Sequence, residues 1–271
     1  MKIAFIGNSH LACIKDAWQV AEGGPAHFIC GSGTRFFRTL RRTKEGLKLS
    51  RSRKNARNLE LWRLTHGTDA PFDCASVDVI FVVGLVGQPR PWSLITPLDA
   101  HEEELQRRLG RPPVSLAVWK ECVAHTCRLT EATRLQQLIA PTSKQRVLHI
   151  PKPLVREDAG EFDERYRPPV EWERLGPSEK DLLYDRERRL YLEFTRELGL
   201  EVWLPDSRDV INGFTAPKRY SLDALGSPDL TTGLSKHYGD EPHENRLNLT
   251  HKNIEYGLTW VRRILAEFQA T

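Results

Sequence analysis

Groups able to pass a proton between them stand near the two ends of this chain. Ser9 follows the apolar run Ile3-Ala4-Phe5-Ile6 and the break Gly7-Asn8. Such a run fits a strand buried on both faces. Leu11, Ile14 and Trp18 then recur at helical spacing. The serine therefore sits in a strand-to-helix turn, beside unpaired backbone N–H groups and the positive end of a helix dipole. That position suits a nucleophile whose attack creates an oxyanion; it equally suits a serine that merely caps the helix. At the other end, Leu234 to Gly257 is polar and carries His237, His243 and His251 ahead of a last helical stretch. Any of the three has the chemistry to take a serine proton as general base. Histidines so clustered also raise zinc, but their spacing fits no common zinc pattern, so no metal is expected.

The elements that would position these groups read as alternating strands and helices. Ala26–Cys30 is a second short strand, ending in Gly31-Ser32-Gly33. Val77–Val83 is the clearest buried strand and stops at Gly84-Leu85-Val86-Gly87. Ser9, Gly31–Gly33 and Gly84–Gly87 thus share one location, the carboxyl rim of a parallel sheet, where open α/β sheets bind ligands. Arg146–Ile150 is a fourth strand, ended by Pro151-Lys152-Pro153, and Leu200–Leu204 a fifth; His149 reads as a core or edge histidine. Helical periodicity covers 100–110, 114–139, 182–198 and 257–268. The expected fold class is α/β: a three-layer α/β/α sandwich around a central, mostly parallel five-stranded sheet. No break in composition divides the 271 residues, so one domain is expected.

Two segments stand apart. From Arg35 to Arg57 ten basic residues face the single acid Glu45. The run reads as a solvated, partly irregular basic insertion, or more sharply as a positive rim that gathers an anionic substrate. Val155 to Lys180 is a long charged connection placed to serve as a lid. The whole chain is only mildly basic, with 40 Lys and Arg against 36 Asp and Glu, and no nucleic-acid motif accompanies that balance, so no nucleic-acid partner is expected. The GSG turn lacks the GxGxxG spacing of a dinucleotide site, and no phosphate-loop motif supports a nucleotide-binding domain. No leader and no membrane-length apolar stretch is evident. Five cysteines without metal-ligand pairing read as free thiols in a reducing, cytoplasmic setting.

Gly7-Asn8-Ser9-His10, the glycine-bearing ends of the next strands and a histidine before the last helix together resemble the SGNH (GDSL-like) hydrolases. The block from Thr250 to Gly257 is similar to the His-x-Asn-x-x-Tyr-Gly ending of a bacterial branch, as are Leu204-Pro205 and Gly213-Phe214-Thr215. The resemblance implies the flavodoxin-like fold of that family and a serine esterase or deacetylase without cofactor. It would cleave an acyl ester, acetyl first among them, on a carbohydrate or other small molecule. Ser9 would be the nucleophile and His251 the base, with an oxyanion site from the Ser9 N–H and Gly31, Ser32 or Gly33, and with Gly84 and His10 beside it. Two departures weigh on activity. The family's third block has Gly-x-Asn, where this chain has Gly84-Leu85-Val86. The residue three before His251 is Asn248, where the family has Asp; in serine proteases that exchange lowers the rate about 10⁴-fold. Asp240, in Asp240-Glu241-Pro242-His243, is the other carboxylate able to orient a histidine. A degenerate relative that binds a glycan or an anionic ligand without turnover is the alternative.

Overall fold

The computed structural model describes residues 1–90, 103–110, 114–140, 145–232, 234–238 and 249–268. β1 (Ile3–Gly7) leads into α1 (Leu11–Val20), and β2 (Ala26–Cys30) into α2 (Gly33–Thr39). A hairpin of β3 (Leu40–Thr43) and β4 (Gly46–Leu49) precedes α3 (Ala56–His66) and β5 (Val79–Val83). α4 (Glu103–Arg108), α5 (Leu116–Thr126) and α6 (Leu129–Ile139) come before β6 (Arg146–Ile150). β7 (Val155–Arg156), α7 (Ala159–Phe162) and α8 (Val170–Glu173) follow, then the long α9 (Pro177–Glu197). β8 (Glu201–Val202), β9 (Thr215–Ala216), β10 (Ala224–Pro228), β11 (Ser235–Tyr238) and α10 (Ile254–Phe268) complete the order.

The central sheet runs β2-β1-β5-β6-β8 and every pair in it is parallel. Helices cover both faces, which is the three-layer α/β/α sandwich that the strand pattern predicts. β1 and β5 are buried at every position because side chains on both faces need cover. Odd and even residues of β1 feed two separate cores. Ala4 and Ile6 join Ile80, Val82, Trp119, Leu129 and Tyr191 on one face. Ile3 and Phe5 join Phe81, Trp18, Trp260 and Val261 on the other, where α1 and α10 lie. Phe5 stacks between Phe28 and Phe81, with ring centroids 4.8 and 5.1 Å away. Strand order reverses its direction of growth at β1, so the carboxyl ends of β1 and β5 open a crevice there.

Three expectations change in detail. The periodic stretch 114–139 is two helices, α5 and α6, because Arg128 adopts a left-handed conformation (φ 59°) that no α-helix carries through. The basic stretch 35–57 is ordered and packed: Phe36, Phe37, Leu40, Leu47 and Leu49 enter the core, while the arginines lie outside. Some of those arginines hold the structure together. Arg42 Nη1 donates to the last carbonyls of α6, at Leu138 and Ile139, both at 2.9 Å, and Arg38 pairs with Glu131 at 2.7 Å. The connection 155–180 carries its own apolar cluster, in which Trp172, Leu175 and Phe214 meet Leu105, Leu109 and Leu183. No helix among the described residues is long and apolar enough to cross a membrane.

Candidate active site

The turn after β1 is held from three sides. Asn8 is buried, and its Nδ2 donates to the Gly84 carbonyl at 2.9 Å while its Oδ1 accepts the His10 N–H at 3.1 Å. The side chain thereby ties the end of β1 to the end of β5. Gly84 must be glycine for this: its φ is +79°, and a Cβ there would collide with Asn8 Oδ1. The turn leaves Ser9 immediately before the N-cap position of α1, which His10 occupies without a side-chain cap bond. The serine hydroxyl is thus not a helix cap. It lies 2.9 Å from His251 Nε2, although the two residues stand 242 positions apart in the chain.

The loop that carries His251 is fixed on both sides of it. The Leu225 N–H donates to the Lys252 carbonyl at 2.9 Å. Asn253 then binds in several directions: its N–H donates to the Tyr220 carbonyl at 2.8 Å, and its Nδ2 to the carbonyls of Arg219 and Leu222 at 2.7 and 3.0 Å. Its Oδ1 accepts the Tyr256 N–H at 3.2 Å, so Asn253 is the N-cap of α10. Gly257 lets α10 press against α1, since a Cβ there would collide with the Cys13 carbonyl oxygen. The His-x-Asn-x-x-Tyr-Gly spacing is therefore a device for holding the helix behind His251 against the helix behind Ser9.

Around the pair, the His10 ring centroid is 4.8 Å and the Tyr238 centroid 4.9 Å from that of His251. His251 itself is buried. Burial holds His10 well below the usual histidine range, and the charges of His251, Lys152 and Lys252 push it in the same direction. These causes favour the neutral form of His10, whose Nδ1 is buried without a partner among the described residues. Lys252 points away into the protein, where its Nζ donates to Ser221 Oγ at 2.7 Å; burial pulls it down to about 7.

The oxyanion donors sort differently from the sequence expectation. The Gly31 N–H donates to the Gly7 carbonyl at 2.9 Å, the Ser32 N–H to Asn58 Oδ1 at 2.6 Å, and the Gly84 N–H to the Ile150 carbonyl at 2.9 Å. These three are committed to the scaffold. The N–H groups of Ser9 and Gly33 have no acceptor among the described residues, and Gly33 opens α2 at the same rim. Leu85 and Val86 are buried and apolar, so this strand end supplies no side-chain donor.

Of the three competing histidines, His237 is exposed and paired with Asp223 at 2.7 Å. His243, Asp240 and Asn248 lie outside the described residues. His149 is wholly buried in β6, and neither ring nitrogen has a partner. The five cysteines are free, and no cluster of metal-ligating side chains exists among the described residues. Sequence reasoning missed the bracing role of Asn8 and the flanking ring of Tyr238. It noted Lys152 only as part of the proline-flanked end of the fourth strand. The signal for Lys152 was its place on the same rim as Ser9, which a cavity beside His10 and Thr250 now makes plain. No protein-family model, no curated protein and no solved structure matches this chain.

Proposed function

We propose that the chain is a serine ester hydrolase of the SGNH type, with Ser9 as nucleophile and His251 as general base. The observation that carries this is the 2.9 Å approach of His251 Nε2 to Ser9 Oγ, at the carboxyl rim of a parallel sheet and the start of α1. His251 takes the Ser9 proton as Oγ attacks the ester carbonyl. The oxyanion is assigned to the rim that carries the unpaired N–H groups of Ser9 and Gly33 and the positive end of α1. Each preorganised donor of this kind is worth about 3 kcal/mol in the barrier. The imidazolium then returns its proton to the departing alkoxide, and water releases the acyl group by the same steps in reverse order. His10, held neutral, adds no positive charge beside the imidazolium at the moment it forms. Esters of acetate on a carbohydrate or other small alcohol are the substrates this reading favours.

A second reading, a binder without turnover, is favoured by the apolar pair Leu85 and Val86 where the family has an asparagine donor. One experiment decides between them. Hydrolysis of 4-nitrophenyl acetate is followed for the native chain, Ser9→Ala and His251→Ala. Loss of at least 10³-fold in kcat/KM in both variants is expected, since members of such a unit fail together. Equal, background-level rates in all three proteins would leave only the binder.

A further inference from the structure

A cavity of about 400 Å³ opens directly beside the catalytic pair, with His10 and Thr250 in its wall. Lys152, Arg90, Tyr166 and Phe214 line the rest of its reach. None of the described residues that line it is acidic. Lys152 is partly buried, comes from the segment after β6, and has no carboxylate partner among the described residues. Its backbone is fixed, with its N–H donating to the Val86 carbonyl at 2.8 Å and its carbonyl accepting from Gln88 Nε2 at 3.3 Å. Lys152 thus shares the cavity wall with His10, near enough for its charge to act on that ring, and has no counter-charge among the described residues. Burial lowers its basicity, and Arg128 adds a second positive charge nearby.

This absence of acid is local. The adjoining cavity, which shares the Tyr166 and Phe214 walls, carries Glu157, Asp158, Glu161 and Glu173. Arg167 and Lys180 stand among those acids, whereas the cavity beside His10 has Arg90 and Lys152 with no acid among its described lining residues. An unpaired, partly desolvated cation in a binding cleft is costly unless a ligand supplies the missing charge. The rings of Tyr166 and Phe214 add apolar wall for the body of such a ligand, and the volume suits a single ring.

We infer that the alcohol half of the ester substrate is ring-sized and carries an acidic group, which Lys152 receives in the cavity beside His10. The alcohol half is assigned because the cavity wall includes His10, whose ring centroid lies 4.8 Å from that of His251, and the departing oxygen must face the His251 ring to be protonated. This rests on the esterase reading for its orientation, while the anion site itself stands on the cavity and the lysine.

The test compares two acetyl esters, 4-acetoxybenzoate and phenyl acetate. The native chain is expected to prefer the carboxylate ester in kcat/KM. Lys152→Met should lower the ratio of the two kcat/KM values about tenfold, and Lys152→Arg should restore most of it. The preference should fall as salt is raised from 0.05 to about 0.5 M, because screening weakens the pairing. In parallel, calorimetry measures 4-hydroxybenzoate binding to Ser9→Ala, which needs no turnover. Binding that disappears in the Ser9→Ala/Lys152→Met protein, with no hydrolysis by the native chain, would keep the anion site and remove the esterase. A ratio untouched by Lys152→Met, or equal binding of 4-hydroxybenzoate and phenol, would overturn the inference.

Discussion

Asn8 shows how much one side chain decides at this site. It satisfies the partly buried His10 N–H and the buried Gly84 carbonyl at once. Asn8→Ala leaves both groups unpaired, and each buried unsatisfied group costs about 1–3 kcal/mol. Urea unfolding should therefore report a loss of about 2–4 kcal/mol. Ester turnover should fall at least tenfold, because a serine displaced by even 1 Å loses its aim at the carbonyl. Unchanged stability with unchanged turnover would mean the two bonds are incidental. The same residue marks the limit of what the sequence discloses. Ser9 and His251 are legible because each sits where an apolar pattern gives way to a helix, a local signal. Asn8 is legible only as a break after a strand, since its acceptor lies 76 positions on. Lys152 was visible as a rim residue, but the cavity it lines is made by residues from six separate segments.

At the scale of elements, the site depends on how closely two helices pack. α1 begins after Ser9 and α10 after His251, and they cross where Gly257 faces the Cys13 carbonyl. Gly257→Ala must push the helices apart or distort α10. Overpacking of this kind costs about 1–3 kcal/mol, and here the displacement runs straight to the distance between Ser9 and His251. The expected result is a lower melting temperature together with a larger fall in kcat than in KM, measured on an acetyl ester. A variant with native melting and native kcat would show that the close crossing does not set the Ser9 to His251 spacing. The five-stranded, parallel character of the sheet was readable because buried strands between amphipathic helices leave few topologies open. The break at Arg128 was not. α5 and α6 each keep apolar residues on a core-facing side, so the periodicity passes across the junction, and one left-handed residue leaves no trace in it. Nor was the packing of 35–57 readable, since its few apolar residues are outnumbered by exposed arginines.

Over the whole molecule, buried ionisable groups shift how stability varies with pH, and the effects of His149, Glu187 and Lys252 differ in sign. His149 is pushed down to about 4 by burial, so between pH 4 and its ordinary value near 6.5 the unfolded chain binds a proton that the folded chain refuses. Stability gains across that window as pH rises. Glu187, buried with Trp119 Nε1 donating to it at 2.8 Å, is pushed up to about 7 by burial. The folded chain then keeps a proton that the unfolded chain releases, and stability falls from about pH 4.5 to 7. The two slopes oppose each other through the acid range. Lys252, pulled down to about 7, acts above it: the unfolded chain binds the extra proton up to about pH 10.5, so its contribution rises with pH through that window, against the thiols of Cys13, Cys30 and Cys127, which burial pushes up to about 12. Lys252→Met removes the penalty of a buried ammonium. It should be more stable than the native chain by a few kcal/mol at pH 6, with the difference closing as pH approaches 10.5. Glu187→Gln should uncover the His149 slope, so that its stability relative to the native chain rises between pH 4.5 and 7. Chemical unfolding of the three proteins at pH 5, 6, 7, 8.5 and 10 separates these effects, because exposed groups common to all of them cancel in the differences. A Lys252→Met difference that stays constant across the alkaline range would show that this lysine keeps its ordinary basicity in the folded protein.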